Sequence, residues 1–321
     1  MDSARRRDRH DSPVPLYLTE TDVAALLSPA DAIAAVEESF RRLARGVVDN
    51  RPRERLPVED GQFAVMACAD RELGYAGSKT YVWTPGGTAF VVVLFTRAGR
   101  LEAVIEADKL GQLRTGAASA VATRYLAKED AVSLGVIGCG WQAAAQVECI
   151  RATLSGLERV LVFCRNAERL AAFCREHDCE PAESQRDAAE QHVVVTVTTS
   201  KDPVLRGEWL RDGALVCAVG ANDPSRRELD NVVLERAAFV CCDSREQARR
   251  ESGDLIEPVA GGVLDWLEVH ELQDVVGGEL QGRGGPDDIV VFKSNGLAVW
   301  DLAVAARVVE LARERGVGLA L

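Results

Sequence analysis

Three small residues in mid-chain carry the most informative chemistry the sequence offers, a dinucleotide's phosphate-binding turn, with an ordinary strand-to-helix turn as the alternative. Leu134 to Ala143 reads LGVIGCGWQA, an apolar run that breaks into Gly138-x-Gly140-x-x-Ala143 and passes into a helical pattern. Glycine at 138 lets the chain leave a strand in a tight turn, glycine at 140 lets backbone amides approach a pyrophosphate, and alanine at 143 lets the helix pack closely on the sheet. The phosphates would face the helix N-terminus at Trp141 and Gln142, where unpaired N–H groups and the helix dipole attract anions. A strand over Ala131 to Ile137 and a helix over Gln142 to Ile150 supply the context this spacing needs. The expected ligand is a dinucleotide.

The second strand of such a fold normally ends in an acid that binds the adenosine ribose of NAD. Here it ends Val162-Phe163-Cys164-Arg165-Asn166. No carboxylate stands there to repel a 2′-phosphate, and Arg165, with Asn166 beside it, offers a planar donor fork to one. NADP(H) is therefore favoured, with NAD(H) possible. The alternative is a solvated arginine followed by an asparagine that caps the next helix.

The elements that must position this turn fall into two groups. Ser28-Pro29-Ala30-Asp31 is a helix start, with apolar residues at Ile33, Val36, Phe40 and Leu43 on one face and a stop near Gly46. Gln62 to Ala69, Gly74 to Trp83, Thr88 to Phe95 and Leu101 to Glu106 read as strands of an antiparallel sheet, and an alanine-rich helix follows from Asp108 to Ala127. Beyond Lys128, short apolar strands at Arg159 to Cys164, His192 to Val197, Ala214 to Val219, Phe239 to Cys242 and Ile289 to Phe292 alternate with helical or polar segments, as in a parallel sheet. A last helix, Leu297 to Arg315, is placed to cross back to the first group.

A chain of 321 residues with 47 % apolar content has room for about two well-filled domains. Its net charge of −12 argues against a nucleic-acid partner. No apolar run is long enough for a membrane span. Arg5, Arg6, Arg7 and Arg9 lie in what reads as a frayed arm over residues 1–13, since no apolar stretch follows them. The nine cysteines are odd in number and show no zinc spacing, and the four histidines are far apart. No metal centre is expected. The cysteines read as small core fillers of a reducing, cytoplasmic compartment, and Cys241 and Cys242, adjacent on a strand, point to opposite faces and do not pair.

Together the pieces are similar to the ornithine cyclodeaminase and mu-crystallin family, which includes archaeal-type alanine dehydrogenases and ketimine reductases. The resemblance runs from about Tyr17 onward. It rests on Arg51-Pro52-Arg53, Gly77-Ser78-Lys79, the block from Glu106 to Ala127, the glycine turn, GANDPSRRELD from Gly220 to Asp230, and FKSNGLAVWD from Phe292 to Asp301. It implies an α/β fold: a Rossmann domain (129–296) inserted in a discontinuous α+β domain that binds substrate and dimerises (1–128, with the helix 297–321 returning to it). It further implies that Arg53 grips a substrate carboxylate, a task suited to a bidentate guanidinium. Lys79 is implied beside the reacting carbon, where burial near Arg53 would lower its pKa and suit it to proton transfer. Arg114 is implied to reach substrate carboxylate or cofactor, and Thr115 the cofactor. Thr198, Ser294 and Asn295 fall near the nicotinamide, with Asn295 also toward the substrate. Val219 and Gly220 line the cofactor with backbone, and Arg226 stands where cyclodeaminases carry a cofactor-contacting lysine.

One departure bears on the reaction. Cyclodeaminases carry a catalytic aspartate where this chain reads Gly220-Ala221-Asn222-Asp223-Pro224, which puts Asn222 in its place. An amide cannot do a carboxylate's acid–base work, and Asp223 is one residue out of register. The segment Thr80 to Gly87 is also short and carries no acid for a distal amine. These points favour an NAD(P)H-dependent reductase or amino-acid dehydrogenase working on a small amino- or imino-acid substrate, at a C=N carbon next to a carboxylate, and the resemblance alone implies a homodimer. Redox-neutral cyclodeamination and a non-catalytic, crystallin-like NADPH-binding protein remain as alternatives.

Overall fold

A computed structural model describes residues 14–321, so the arm over 1–13 lies outside the described residues. Two eight-stranded sheets organise the chain. The first is dominated by an antiparallel run of Gly61–Asp70, Tyr75–Thr84, Gly87–Thr96 and Leu101–Glu106. Its edge corrects the expectation of a purely antiparallel sheet: Leu16–Leu18 lies parallel to Leu101–Glu106 and antiparallel to Leu319–Ala320. Segments of three and two residues are too short to show a strand period in sequence. Glu54–Val58 pairs with the outer side of Gly61–Asp70, and its Pro57 fits an edge position.

The faces of this sheet differ. Ala64, Met66, Cys68, Lys79, Val92 and Leu94 point inward and are buried beneath the helix Ala298–Arg315, which also packs on Pro29–Ala44 and Asp108–Leu126. Phe63, Val65, Ala67, Val91 and Val93 point outward and are half-buried, with Leu56, Val82 and Phe95 exposed beside them.

The second sheet is wholly parallel, in the order Glu180–Pro181, Arg159–Phe163, Ser133–Ile137, Val193–Thr196, Leu215–Ala218, Ile289–Lys293, Ala237–Cys242, Val269–Glu271. Its central strands are buried on both faces, which is why they read as continuous apolar runs. The strand order reverses at Ser133–Ile137, and ligand crevices open at such a point, beyond the carboxyl ends of the strands. The sheets are joined by tight packing of Asp108–Leu126 on Trp141–Thr153, where a Cβ on Gly116 would lie 2.2 Å from the carbonyl oxygen of Ala145. The run of alanines in both helices makes that approach possible.

Candidate active site

The glycine turn sits at the reversal point. Gly138 has φ +122°, and a Cβ there would come within 2.5 Å of the Val197 carbonyl oxygen, so only glycine lets the chain pass between the strands. Gly140 is the N-cap of Trp141–Thr153 and gives it no side-chain cap; the helix therefore presents free N–H groups to the crevice. Gln142 adds a buried, unpartnered Oε1. Trp141 is 54 % exposed, and its indole N–H donates to Asp108 Oδ1 at 3.1 Å. Arg165 is exposed at the end of Arg159–Phe163, while the Asn166 Oδ1 accepts the Arg169 amide and caps the next helix. This turn has the form that a dinucleotide requires.

On the facing side, cations gather from separate elements. Arg53 is buried; its Nη1 donates to Glu251 Oε1 (2.7 Å) and its Nη2 to the Asn295 carbonyl (2.9 Å), while its Nε is buried without a partner. Lys79, from Tyr75–Thr84, donates to Asp301 Oδ1 (3.1 Å) and lies over the Phe90 ring. Arg114, from Asp108–Leu126, donates through Nε to the same Asp301 oxygen (2.9 Å), and its guanidinium lies against Gly296. Burial, reinforced by repulsion from Arg114 and opposed by Asp301, pulls the Lys79 ammonium down to about 8. Asn295 is 4 % exposed, yet both polar atoms of its side chain lack partners, as does Asp301 Oδ2. Arg53, Lys79, Arg114 and Asn295 are thus brought together. Thr115 is buried beside them, but its hydroxyl donates to its own helix at the Gly111 carbonyl (2.8 Å).

The model of the ornithine cyclodeaminase/mu-crystallin family matches residues 14–316. The chain belongs to this family. Among solved structures it is similar to an archaeal alanine dehydrogenase dimer with bound NAD, at 32 % identity and a TM-score of 0.90 over 96 % of this chain and 99 % of that one. It is also similar to the Δ1-pyrroline-2-carboxylate reductase of Thermococcus litoralis in complex with NADH and L-proline, at 31 % identity and TM-score 0.90 over 95 % and 100 % of the two chains. The iminosuccinate reductase of Paracoccus denitrificans with NAD⁺ gives 30 % identity and TM-score 0.88 over 96 % and 99 %.

Within this family member, the other expected residues are held by a buried carboxylate that sequence reading left without a role. Glu228 accepts from the amide (2.6 Å) and hydroxyl (2.8 Å) of Thr198 and from the Gly220 amide (2.7 Å), which fixes the loops after two central strands and leaves the backbone of Val219 between them. Burial and the nearby Asp254 raise its pKa. Asp243 does the same for Ser294, Asn295 and Gly296: its Oδ2 accepts the amides of the last two at 2.6 Å each, and burial pushes it up to about 6. Arg226 is half-buried nearby on the turn closed by its amide and the Asp223 carbonyl. Asn222 gives its carbonyl to Arg55 Nη2 (2.8 Å), whereas Oδ1 of the Asp223 carboxylate accepts the amide and hydroxyl of Ser225.

Glu251 and Asp301, the two carboxylates that engage the cations, were also missed as site residues. Asp301 had a signal: a lone acid in Val299-Trp300-Asp301-Leu302, on a helix otherwise apolar there.

One expectation is corrected. Not every cysteine is an unbonded core filler: Cys139, inside the glycine turn, is joined to Cys164 at the end of the adjacent strand, with their Cα atoms 5.8 Å apart. Parallel neighbouring strands bring the residues just past their ends side by side, although 25 residues separate them in sequence. Cys241 and Cys242 are both free.

Proposed function

We propose that this protein is an NAD(P)H-dependent reductase of a C=N bond next to a carboxylate, able to run in reverse as an amino-acid dehydrogenase. The observation that carries this reading is the set of unpartnered polar atoms at the cation cluster. A buried donor or acceptor left unpaired costs about 1–3 kcal/mol, so Arg53 Nε, the Asn295 amide and Asp301 Oδ2 mark places for ligand atoms. A small imino acid answers them with a carboxylate for Arg53 and Arg114 and a nitrogen for the acceptors. The first sheet supplies positive charge, and the second supplies a nucleotide turn across the crevice.

The turn at Gly138 and Gly140, the free helix end at Trp141 and Gln142, and the loops pinned by Glu228 and Asp243 fit a bound nicotinamide dinucleotide. When bound, it supplies or accepts the hydride. The chain's own residues do the rest. Arg53 and Arg114 fix the carboxylate and thereby the plane of the imine, and orientation of this kind is worth several kcal/mol of barrier. Lys79, protonated below about pH 8, hydrogen-bonds the substrate nitrogen or carboxylate and delivers the proton. Thr115, Thr198, Ser294 and Arg226 would hold the bound cofactor. Redox-neutral cyclodeamination is not chosen because position 222 holds an amide and the Asp223 carboxylate is engaged with Ser225.

We further assign NADP(H) as the preferred cofactor, on the exposed Arg165 and the absence of an acid at that strand end. A homodimer follows from the outer face of the first sheet, where Phe63, Val65, Val91 and Val93 form a half-buried apolar layer over which no helix of the described residues packs. Two copies packed through this face would bury it. The division into 1–128, 129–296 and 297–321 and a cytoplasmic location complete the proposal; no described helix is long and apolar enough to cross a membrane.

The decisive experiment follows NADPH and NADH absorbance with purified protein and pyruvate plus ammonia, oxaloacetate plus ammonia, or cyclic imino acids. Turnover of at least one is expected. Silence with all of them, together with proline and ammonia formed from ornithine, would overturn the proposal.

A further inference from the structure

We propose that Asp301 is a positioning residue, whose single oxygen Oδ1 locks Lys79 and Arg114 into one geometry so that the C-terminal helix completes the reaction site. This deepens the reading of Lys79 as proton donor and rests on it. Lys79 reaches the crevice from a strand of the first sheet and Arg114 from the helix Asp108–Leu126; without a shared anion, two cations this close would drive each other apart. Asp301 comes from a third element, Ala298–Arg315, and holds them at 3.1 and 2.9 Å from one atom. It is 1 % exposed, so the interaction acts with little screening by water. Its other oxygen is buried without a protein partner.

The charges facing Lys79 determine what removal of Asp301 does. Arg114 and Arg53 disfavour its ammonium, and only Asp301 among its named neighbours favours it. Glu251 lies behind Arg53 and is paired with Arg53 and Arg55. Tyr81 stands two residues along the strand, and the Cys68 thiol on the neighbouring strand also feels Asp301. Neutralising Asp301 therefore leaves two repelling cations and burial unopposed. An opposite charge at this range is worth about 1–3 pKa units. Lys79 would deprotonate at least about one unit lower, so the form that donates a proton becomes about fivefold scarcer near pH 8 and about tenfold scarcer well above it.

The test compares wild type with Asp301→Asn and Asp301→Glu by two readouts. Competitive labelling with trace acetic anhydride, resolved by peptide mass analysis, gives the titration of Lys79 against exposed Lys201 and needs no turnover. The pH profile of kcat/KM gives the same group in catalysis. In Asp301→Asn we expect the labelling midpoint and the alkaline limb to fall together by about one unit, with NADPH affinity near wild type. In Asp301→Glu the midpoint stays near wild type while kcat drops, because an added methylene displaces the ammonium. A uniform loss of rate with an unmoved Lys79 midpoint in Asp301→Asn overturns the proposal. Should Asp301→Asn fail to fold, wild-type kcat in Asp301→Glu overturns it equally. If wild type reduces no imine, the reductase reading fails, and labelling still decides whether Asp301 governs Lys79.

Discussion

Replacing Arg53 by lysine tests the carboxylate clamp with the least damage to the fold. The guanidinium spends Nη1 on Glu251 and Nη2 on the Asn295 carbonyl, so only Nε is buried and unpartnered. A lysine ammonium keeps the charge and can retain Glu251, but it has neither the second arm nor the donor at Nε. The substrate thus loses one charge-assisted hydrogen bond, worth about 1.5–3 kcal/mol. At 1.36 kcal/mol per decade, that predicts kcat/KM for the imino acid lower by about 10- to 150-fold. Losing the bond to Asn295 costs about 1 kcal/mol of stability, a shift of a few degrees in Tm. Steady-state kinetics, NADPH binding by fluorescence and thermal melts separate these effects. The reasoning is refuted if kcat/KM stays within twofold of wild type, or if NADPH affinity falls as far as substrate affinity does.

Asn222→Asp restores a carboxylate where cyclodeaminases carry one while leaving the backbone carbonyl on Arg55, so proline and ammonia should begin to form from ornithine; amino-acid analysis detects either. Arg165→Asp should turn the preference from NADPH toward NADH by tenfold or more in the ratio of kcat/KM values, since it removes a fork for a 2′-phosphate and adds repulsion; an unchanged ratio defeats the assignment. Val93→Asp puts a charge in the middle of the apolar outer face of the first sheet, and light scattering should show a dimer become a monomer. A monomeric wild type would remove the dimer proposal outright.

Much of the scaffold is legible because burial on both faces leaves a plain mark. Ser133–Ile137, Val193–Thr196 and Leu215–Ala218 are buried throughout and apolar but for Ser133 and Thr196 at their ends, and each was expected within a residue or two of its observed bounds. The glycine turn is equally readable, since its spacing follows from backbone geometry. What sequence cannot show is pairing across distance. Arg53 meets Glu251 at a separation of 198 residues, and Lys79 meets Asp301 at 222. Neither carboxylate stands in a pattern that names its partner. Glu228 is hidden for another reason: in Ser225-Arg226-Arg227-Glu228 it reads as one charge in a solvated turn, yet it is fully buried and accepts four hydrogen bonds. Glu54–Val58 escaped notice because Pro57 interrupts the strand pattern, and only an edge position tolerates it.

The distribution of charge explains why the site spans the whole chain. Arg55 and Lys79 come from the first sheet, Arg53 from the segment just before its strand Glu54–Val58 and Arg114 from the helix after it, whereas Glu251 lies beside the second sheet and Asp301 on the final helix. Clustered cations without these acids would cost several kcal/mol each in desolvation and repulsion, so the first 128 residues alone could not hold the arrangement. The acids engage the cations without exhausting them: Arg53 keeps its Nε, and Asp301 serves Lys79 and Arg114 through one oxygen. Four positive groups against two negative ones leave a surplus that a substrate carboxylate can meet, and the position of that surplus beside the nucleotide crevice is set only when all three parts of the chain are in place. The anion site is therefore complete only in the folded chain, so a ligand carboxylate should stabilise the native state by mass action as it binds.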